Sequence, residues 1–257
     1  MQSMIRGMLT LLVVAVFFPL MDLWQRLVLA GIVKLLPNRR ERLLGAWIRW
    51  LARAGWYGIV GGVGGAKLPD LPRLPSGPGI LVLMNHQSLL DIPFVVLAIE
   101  DGYPLIVTRR RYARRIPLVS FMLRLYDFPL VEPGWARPEQ LEALAEAAGR
   151  AERPTVIYPE GGRTRDGEIR PFKRAGLRAI LSRRTWRVYL LVNDGFWKCA
   201  RIADFIRGVS GIRGKATCTG PFQFSNDGEN VDDFIARMQE LMRQQLDEMR
   251  GEGAASG

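Results

Sequence analysis

Residues 80–91 read ILVLMNHQSLLD. Five consecutive apolar side chains, Ile80 to Met84, suit a strand buried on both faces, as in a parallel sheet. A polar segment follows at once and holds the only histidine of the chain, His86. Asp91 lies five positions later. Residues 92–99 then turn apolar again, with Pro93 placed for the first turn of a helix. The order is therefore strand, loop, helix. A His and an Asp at this spacing can meet across the first helical turn. The carboxylate then accepts a hydrogen bond from one ring nitrogen and leaves the other free to take a proton from a hydroxyl. That is the base and orienter of a triad, with the nucleophile brought by the substrate. A structural histidine capping the helix fits the same spacing.

Outward from this block the alternation recurs. Short apolar runs at 105–107, 127–131, 155–158 and 188–192 read as strands. Helices are expected over 117–125, 138–151, 172–182 and 231–249, the second of these rich in Ala, Glu and Leu and the last capped by Asn230. Strands alternating with helices imply an α/β fold, a mostly parallel sheet covered by helices. Residues 61–79, GGVGGAKLPDLPRLPSGPG, are crowded with Gly and Pro, so no helix or long strand is expected there. The GGVGG run lacks the Lys-Ser/Thr of a phosphate loop and reads as linker. The expected organisation is an anchoring segment over 1–60, a linker over 61–79, a catalytic domain over 80–250 and a disordered tail over 251–257.

The anchor is read from residues 8–21, MLTLLVVAVFFPLM, which carry no charge. Alone they fall short of the roughly 20 residues of a spanning helix. A second apolar run, 27–36, is broken only by Lys34, and Asp22, Trp24, Gln25 and Arg26 lie between the two. Arg39, Arg40 and Arg42 follow, then Trp47, Trp50, Trp56 and Tyr57. A cleaved signal peptide lacks a suitable small-residue site here. A spanning helix, a helical hairpin embedded in one leaflet and a buried core helix remain. The arginines and tryptophans favour an N-terminal membrane-embedded helical segment at an anionic surface.

Of 257 residues, 48% are hydrophobic and 24% charged, which excludes a wholly disordered chain. The net charge of +11 favours a polyanionic partner: nucleic acid, anionic membrane or acidic substrate. Two cysteines, Cys199 and Cys218, make no disulfide framework. One histidine excludes a multi-histidine metal site within the chain, and no metal is expected.

A second motif follows a strand at residues 158–167, YPEGGRTRDG. Its paired glycines permit close backbone approach. Arg163 can grip a phosphate in a planar fork, and Glu160 can orient Arg163 or a polar group of a substrate. A Gly-rich turn with solvated charges is the plainer reading of this stretch alone. Taken together, NHQSLLD and YPEGGRTRDG resemble the signature of the glycerolipid acyltransferases, the lysophosphatidic acid acyltransferases and their relatives: an Asn-His-x4-Asp block, then a Phe/Tyr-Pro-Glu-Gly-x-Arg block. The likeness runs over about 80–192. It implies His86 as general base, Asp91 as its partner, and Glu160, Gly161 and Arg163 in acceptor binding. It also implies an acyl-CoA or acyl carrier protein donor, no cofactor, and a lysophospholipid hydroxyl as acceptor, with 1-acylglycerol-3-phosphate first. The segment TRRRYARRIP at 108–117 is similar to the family's basic block, placing Arg109 or Arg110 where a phosphate-binding Lys is usual. Headgroup or surface binding is an equal reading for these arginines.

Three departures bear on the acceptor. Gly162 stands where the family usually has Thr. The stretch Leu130-Val131-Glu132-Pro133 has Pro at the place of a phosphate-binding Arg. Residues 188–192 lack a Pro usual in the late strand. A lyso-aminolipid is therefore an alternative acceptor. A thioester hydrolase, and a non-catalytic basic membrane-surface or nucleic-acid-binding protein, are rivals from other classes; no nucleic-acid motif supports the last. Ser88 lacks the setting of a nucleophile elbow. The resemblance implies membrane lipids as partners, and an inner (cytoplasmic) membrane location with the catalytic domain on the cytoplasmic side.

Overall fold

A computed structural model of the chain describes residues 1–132, 137–228 and 230–255, the last four of these by backbone alone. It opens with a long helix. Helix α1 (Gln2–Trp24) loosens to π geometry over Gln25–Leu29 and continues as α2 (Ala30–Leu35). The two apolar runs are thus one helix, with no turn at Asp22–Arg26. The reason is local: Asp22 takes hydrogen bonds from Arg26 at 2.9 Å and Gln25 at 3.1 Å along the same helical face. The break comes at Leu36, before Pro37. The chain then returns through α3 (Arg40–Arg53) and a wide helical extension, Ala54–Val63.

Residues 61–79 stay helical to Val63 and are irregular beyond it. They are also tied down: Leu74 is fully buried, donates to Ala98 O and accepts from Glu100 N.

The sheet comprises β1 (Ile80–Met84), β2 (Leu105–Ile106), β5 (Thr155–Ile157), β6 (Trp186–Asp194) and β7 (Lys215–Phe224), in the order β2-β5-β1-β6-β7. The first four are parallel; β7 is antiparallel to β6. Strands β3 (Thr108–Arg109) and β4 (Leu130–Val131) form a separate two-stranded parallel sheet. The expected strand at 127–131 therefore belongs to this outlying pair, where Arg109 sits opposite Val131. Pro133, noted for its departure from the family, lies outside the described residues.

Alternation along β1 divides the core. Ile80, Val82 and Met84 face one cluster with α4 (Asp91–Ala98), Leu44, Ile48 and Trp56. Leu81 and Leu83 face the other, with α6 (Pro138–Gly149), α7 (Arg174–Leu181) and α9 (Val231–Ala255). Helix α5 (Val119–Leu125) lies between β3 and β4 along the chain and packs on the 3-10 turn Arg110–Ala113. Three 3-10 turns and the one-turn α8 (Phe205–Gly208) join β6 to β7. The returning arm of the hairpin is thus part of the main core: Trp56, Phe94 and Phe196 meet with ring centroids 5.4–5.8 Å apart. Helix α9 runs on to Ala255, beyond the expected end at 249 and into the stretch read as tail; residues 256–257 are outside the described set.

Candidate active site

Strands β1 and β5 are neighbours and parallel, so the loops after them leave the same edge of the sheet side by side. His86 comes from the first loop. Its Nδ1 lies 2.7 Å from Oδ2 of Asp91, the first residue of α4. The same oxygen accepts the backbone N–H groups of Gln87 at 2.8 Å and Ser88 at 2.9 Å. Asp91 is fully buried. A carboxylate only accepts, so Nδ1 carries the ring proton and Nε2 the lone pair. Nε2 has no hydrogen-bond partner among the described residues, and the side chain is 18% exposed. The ring stacks on Tyr158, centroids 4.3 Å apart.

The second loop holds the first by its backbone. Thr164 N–H donates to His86 O at 2.8 Å. His86 N–H donates to Glu160 Oε1 at 2.7 Å, and Arg170 N–H to Glu160 Oε2 at 3.0 Å. Glu160 orients neither Arg163 nor an exposed ligand group: both oxygens serve backbone amides, and the residue is 4% exposed. Burial pushes its carboxyl up to about 7 against the pull of those two amides.

Gly161 turns with φ +65, and its N–H is spent on Tyr158 O at 3.0 Å, so it is no oxyanion donor. Gly162 N–H has no partner among the described residues and is the amide of this pair left free to donate. The absent side chains matter here: a Cβ on Gly161 would meet the Lys173 side chain at 2.7 Å, and one on Gly162 would meet Arg109 Nη2 at 2.8 Å.

Cations surround this turn. Arg109 donates to Gly161 O, and Arg163 donates to Ala200 O. Arg170 reaches toward Gly162 and Lys173 lies over Gly161. Among the described residues none of the four has a carboxylate within 4.0 Å. Burial, then the charges of Arg111, Arg163 and Arg170, hold Arg109 below the usual arginine range. Arg110 points elsewhere, pairing with Glu132 at 3.2 Å with both side chains about half exposed. Of the two arginines weighed from sequence, Arg109 is the one at the turn.

Ser88 Oγ is buried and donates to Cys199 O at 2.6 Å, a fixed structural bond. The arginine at 170 and the lysine at 173 went unnoticed in the sequence, as did the role of Gln87, whose amide ties the first loop to residues 167, 194, 196 and 197. The charge run after the second motif was the available signal for Arg170 and Lys173. Among the described residues no group of three or more His, Cys, Asp or Glu side chains has the arrangement of a metal site.

This arrangement can accept a proton at Nε2 and hold an anion at the adjoining turn. Residues 67–189 match a family model described as Acyltransferase. The chain matches none of the curated proteins. Among solved structures, the crystal structure of the 1-acyl-sn-glycerophosphate (LPA) acyltransferase PlsC from Thermotoga maritima superposes with a TM-score of 0.65, covering 96% of this chain and 97% of that one at 15% identity, a likeness of fold.

Proposed function

We propose that this chain, whose residues 67–189 match the Acyltransferase family model, moves a fatty acyl group from an acyl thioester, acyl-CoA or acyl carrier protein, to the hydroxyl of a lysophospholipid such as 1-acylglycerol-3-phosphate. The observation that carries the reading is a histidine held by a buried aspartate, on a loop bonded to a turn ringed by cations that have no carboxylate partner among the described residues. In this mechanism Nε2 of His86 takes the acceptor hydroxyl proton. The oxygen adds to the thioester carbonyl, and Gly162 N–H is the available donor to the resulting oxyanion. The C–S bond then breaks, and His86 returns the proton to the thiolate. Asp91 holds the ring in place and balances the charge that develops on it. Arg109, Arg163, Arg170 and Lys173 bind the acceptor phosphate. A phosphate-free aminolipid would bring an ammonium into this cluster, which disfavours it as acceptor.

The N-terminal hairpin supports a membrane location. Gln2–Leu35 is long and apolar enough to cross a bilayer, with mean hydropathy 2.1 in its most apolar window. Yet the catalytic domain grips it at two places: Ser3 Oγ donates to Arg207 O, and Gln25 Nε2 to Leu118 O. At 1.5 Å per residue these grips are about 33 Å apart along the helix. A helix lying along the domain over that length favours embedding in one leaflet, with Leu12, Leu27 and Leu35 outward. The cytoplasmic face of the inner membrane suits a thioester donor.

The test is direct assay in detergent with acyl-CoA or acyl carrier protein and several lysolipids. His86→Ala should lower transfer about 10²–10⁴-fold while leaving the protein folded and membrane-bound. Near-normal transfer by this variant would remove His86 as the base. Mass spectrometry of membrane lipids after deletion and complementation would name the acceptor, as a diacyl species lost and its lysolipid gained.

A further inference from the structure

Helix α9 lies outside the family-matched residues, yet its Arg250 enters the bonding of both motif loops. Gln87, next to the catalytic histidine, accepts Phe196 N–H at 3.0 Å and Trp197 N–H at 3.2 Å through its Oε1. Its Nε2 donates to Gly167 O at 3.4 Å and Asp194 Oδ1 at 3.3 Å. Arg250 donates to the same two acceptors: Nη2 to Gly167 O at 3.2 Å and to Asp194 Oδ1 at 3.2 Å. Its Nε reaches Asp194 Oδ2 at 3.0 Å, and its Nη1 reaches Glu168 Oε1 at 2.7 Å. The four residues close a ring around the end of β6 and the foot of the second loop.

We propose that Arg250 is a positioning residue: through Asp194, Gln87 and Gly167 it holds the loop carrying His86 against the loop carrying Arg163, so that acceptor and base are aligned for acyl transfer. This rests on the transferase reading of the site. Asp194 has a side chain only 17% exposed, and Arg250 is its one cationic partner within 4.0 Å among the described residues. Burial alone would raise its carboxyl; hydrogen bonds from Arg250 and Gln87 outweigh burial and hold it below the usual range. Gly167 has φ +86, and a Cβ there would lie 2.6 Å from Arg250 Nη2 and 2.7 Å from the Trp197 ring. The guanidinium is therefore packed flush against loop backbone as well as bonded to it. Without Arg250, the Asp194 carboxylate is unpaired in a half-buried setting, and the Gly167 carbonyl keeps only the longer of its two donors. The His86–Asp91 pair stays intact, but the acceptor hydroxyl no longer sits squarely on Nε2. Water then competes: its oxygen adds to the thioester carbonyl, the C–S bond breaks, and the thiolate takes the proton, leaving free fatty acid.

The test compares the full-length protein with R250K, R250M and the double variant R250M/D194N in detergent, using a long-chain acyl-CoA and 1-acylglycerol-3-phosphate. R250M should raise the ratio of free fatty acid to acylated lipid several-fold and raise KM for the acceptor; R250K, with charge but no fork, should fall between. Loss of folded molecules alone would lower total turnover and leave that ratio unchanged. The double variant should recover the thermal midpoint, by removing the unpaired charge, while keeping the raised ratio. Hydrogen exchange supplies a readout independent of activity: amides of 161–168 and 196–197 should exchange faster in R250M than in the parent. An unchanged ratio, or unchanged exchange in those segments, overturns the proposal. A parent protein that makes no acylated lipid overturns the transferase reading instead, and the exchange comparison still decides whether Arg250 clamps the loops.

Discussion

Glu160 is a carboxyl only 4% exposed, lodged under the backbone of the loop that carries His86. The motif marks it, and its neighbours suggest a ligand contact, but its oxygens are taken by the amides of His86 and Arg170. Its chemistry yields a test. The folded protein holds the proton up to about pH 7, whereas the unfolded chain releases it near 4.5. The folded pKa is raised, so this contribution to stability is full below the unfolded value and is lost as pH rises through the folded one. A shift of this size corresponds to something on the order of 3 kcal/mol. The thermal midpoint of the parent should therefore fall between about pH 5 and pH 8, and Glu160→Gln should flatten that slope. Equal slopes in both proteins would assign the titration elsewhere. The cations give a second residue-level test. Arg109→Ala and Lys173→Met should raise KM for a phosphorylated acceptor about 10–100-fold, the worth of a charged hydrogen bond, with KM for acyl-CoA little changed. Arg110→Ala, which breaks only an exposed pair with Glu132, should leave acceptor KM near the parent value.

At the scale of elements, the long helix is seated by a contact between backbones. A Cβ on Gly7 would stand 2.1 Å from Ile206 O and 2.4 Å from Phe205 O, so α1 crosses α8 where only glycine fits. Gly7→Val should force the two apart at a cost of about 1–3 kcal/mol, seen as faster proteolysis within 196–211 and a lower thermal midpoint; unchanged protection there would place the docking elsewhere. The strands divide by how much of them is buried. β1, β5 and the middle of β6 are buried on both faces and stand out as apolar runs. β7 escaped notice because it is an edge strand with a single fully buried residue, Phe224, and with Gly220 and Pro221 interrupting its pattern.

For the whole molecule, a net charge of +11 and an exposed apolar helix face are both features that an anionic membrane surface would engage. Binding to vesicles should strengthen with anionic lipid and weaken with salt, but not vanish at high salt, since screening leaves the apolar contact untouched. Flotation assays across salt concentrations would show this; complete release at high salt would argue for a purely electrostatic surface contact. The hairpin is also no detachable anchor. Glu41 binds Tyr103 at 2.7 Å and Arg153 at 2.8 Å, Arg40 binds Asp127 at 2.7 Å, and Tyr126 donates to Leu44 O at 2.7 Å. Deleting residues 1–60 would therefore open the core beside α4 as well as removing the apolar helix.

What the sequence determined was whatever is encoded by neighbours along the chain: the apolar runs that become buried strands, the helix periods between them, and a His and Asp close enough to bond across one turn. Those features fix the α/β class and the two loops of the site, because side-chain spacing sets which face each residue presents. Only the tertiary structure decided which distant groups fill each hydrogen-bonding valence. It joined His86 to Glu160 across 74 positions, brought Arg109 to Gly161 across 52, and carried Arg250 to Asp194 across 56. Such bonds leave no periodic trace, since a buried polar atom needs a partner but nothing in its local sequence says from where it will come.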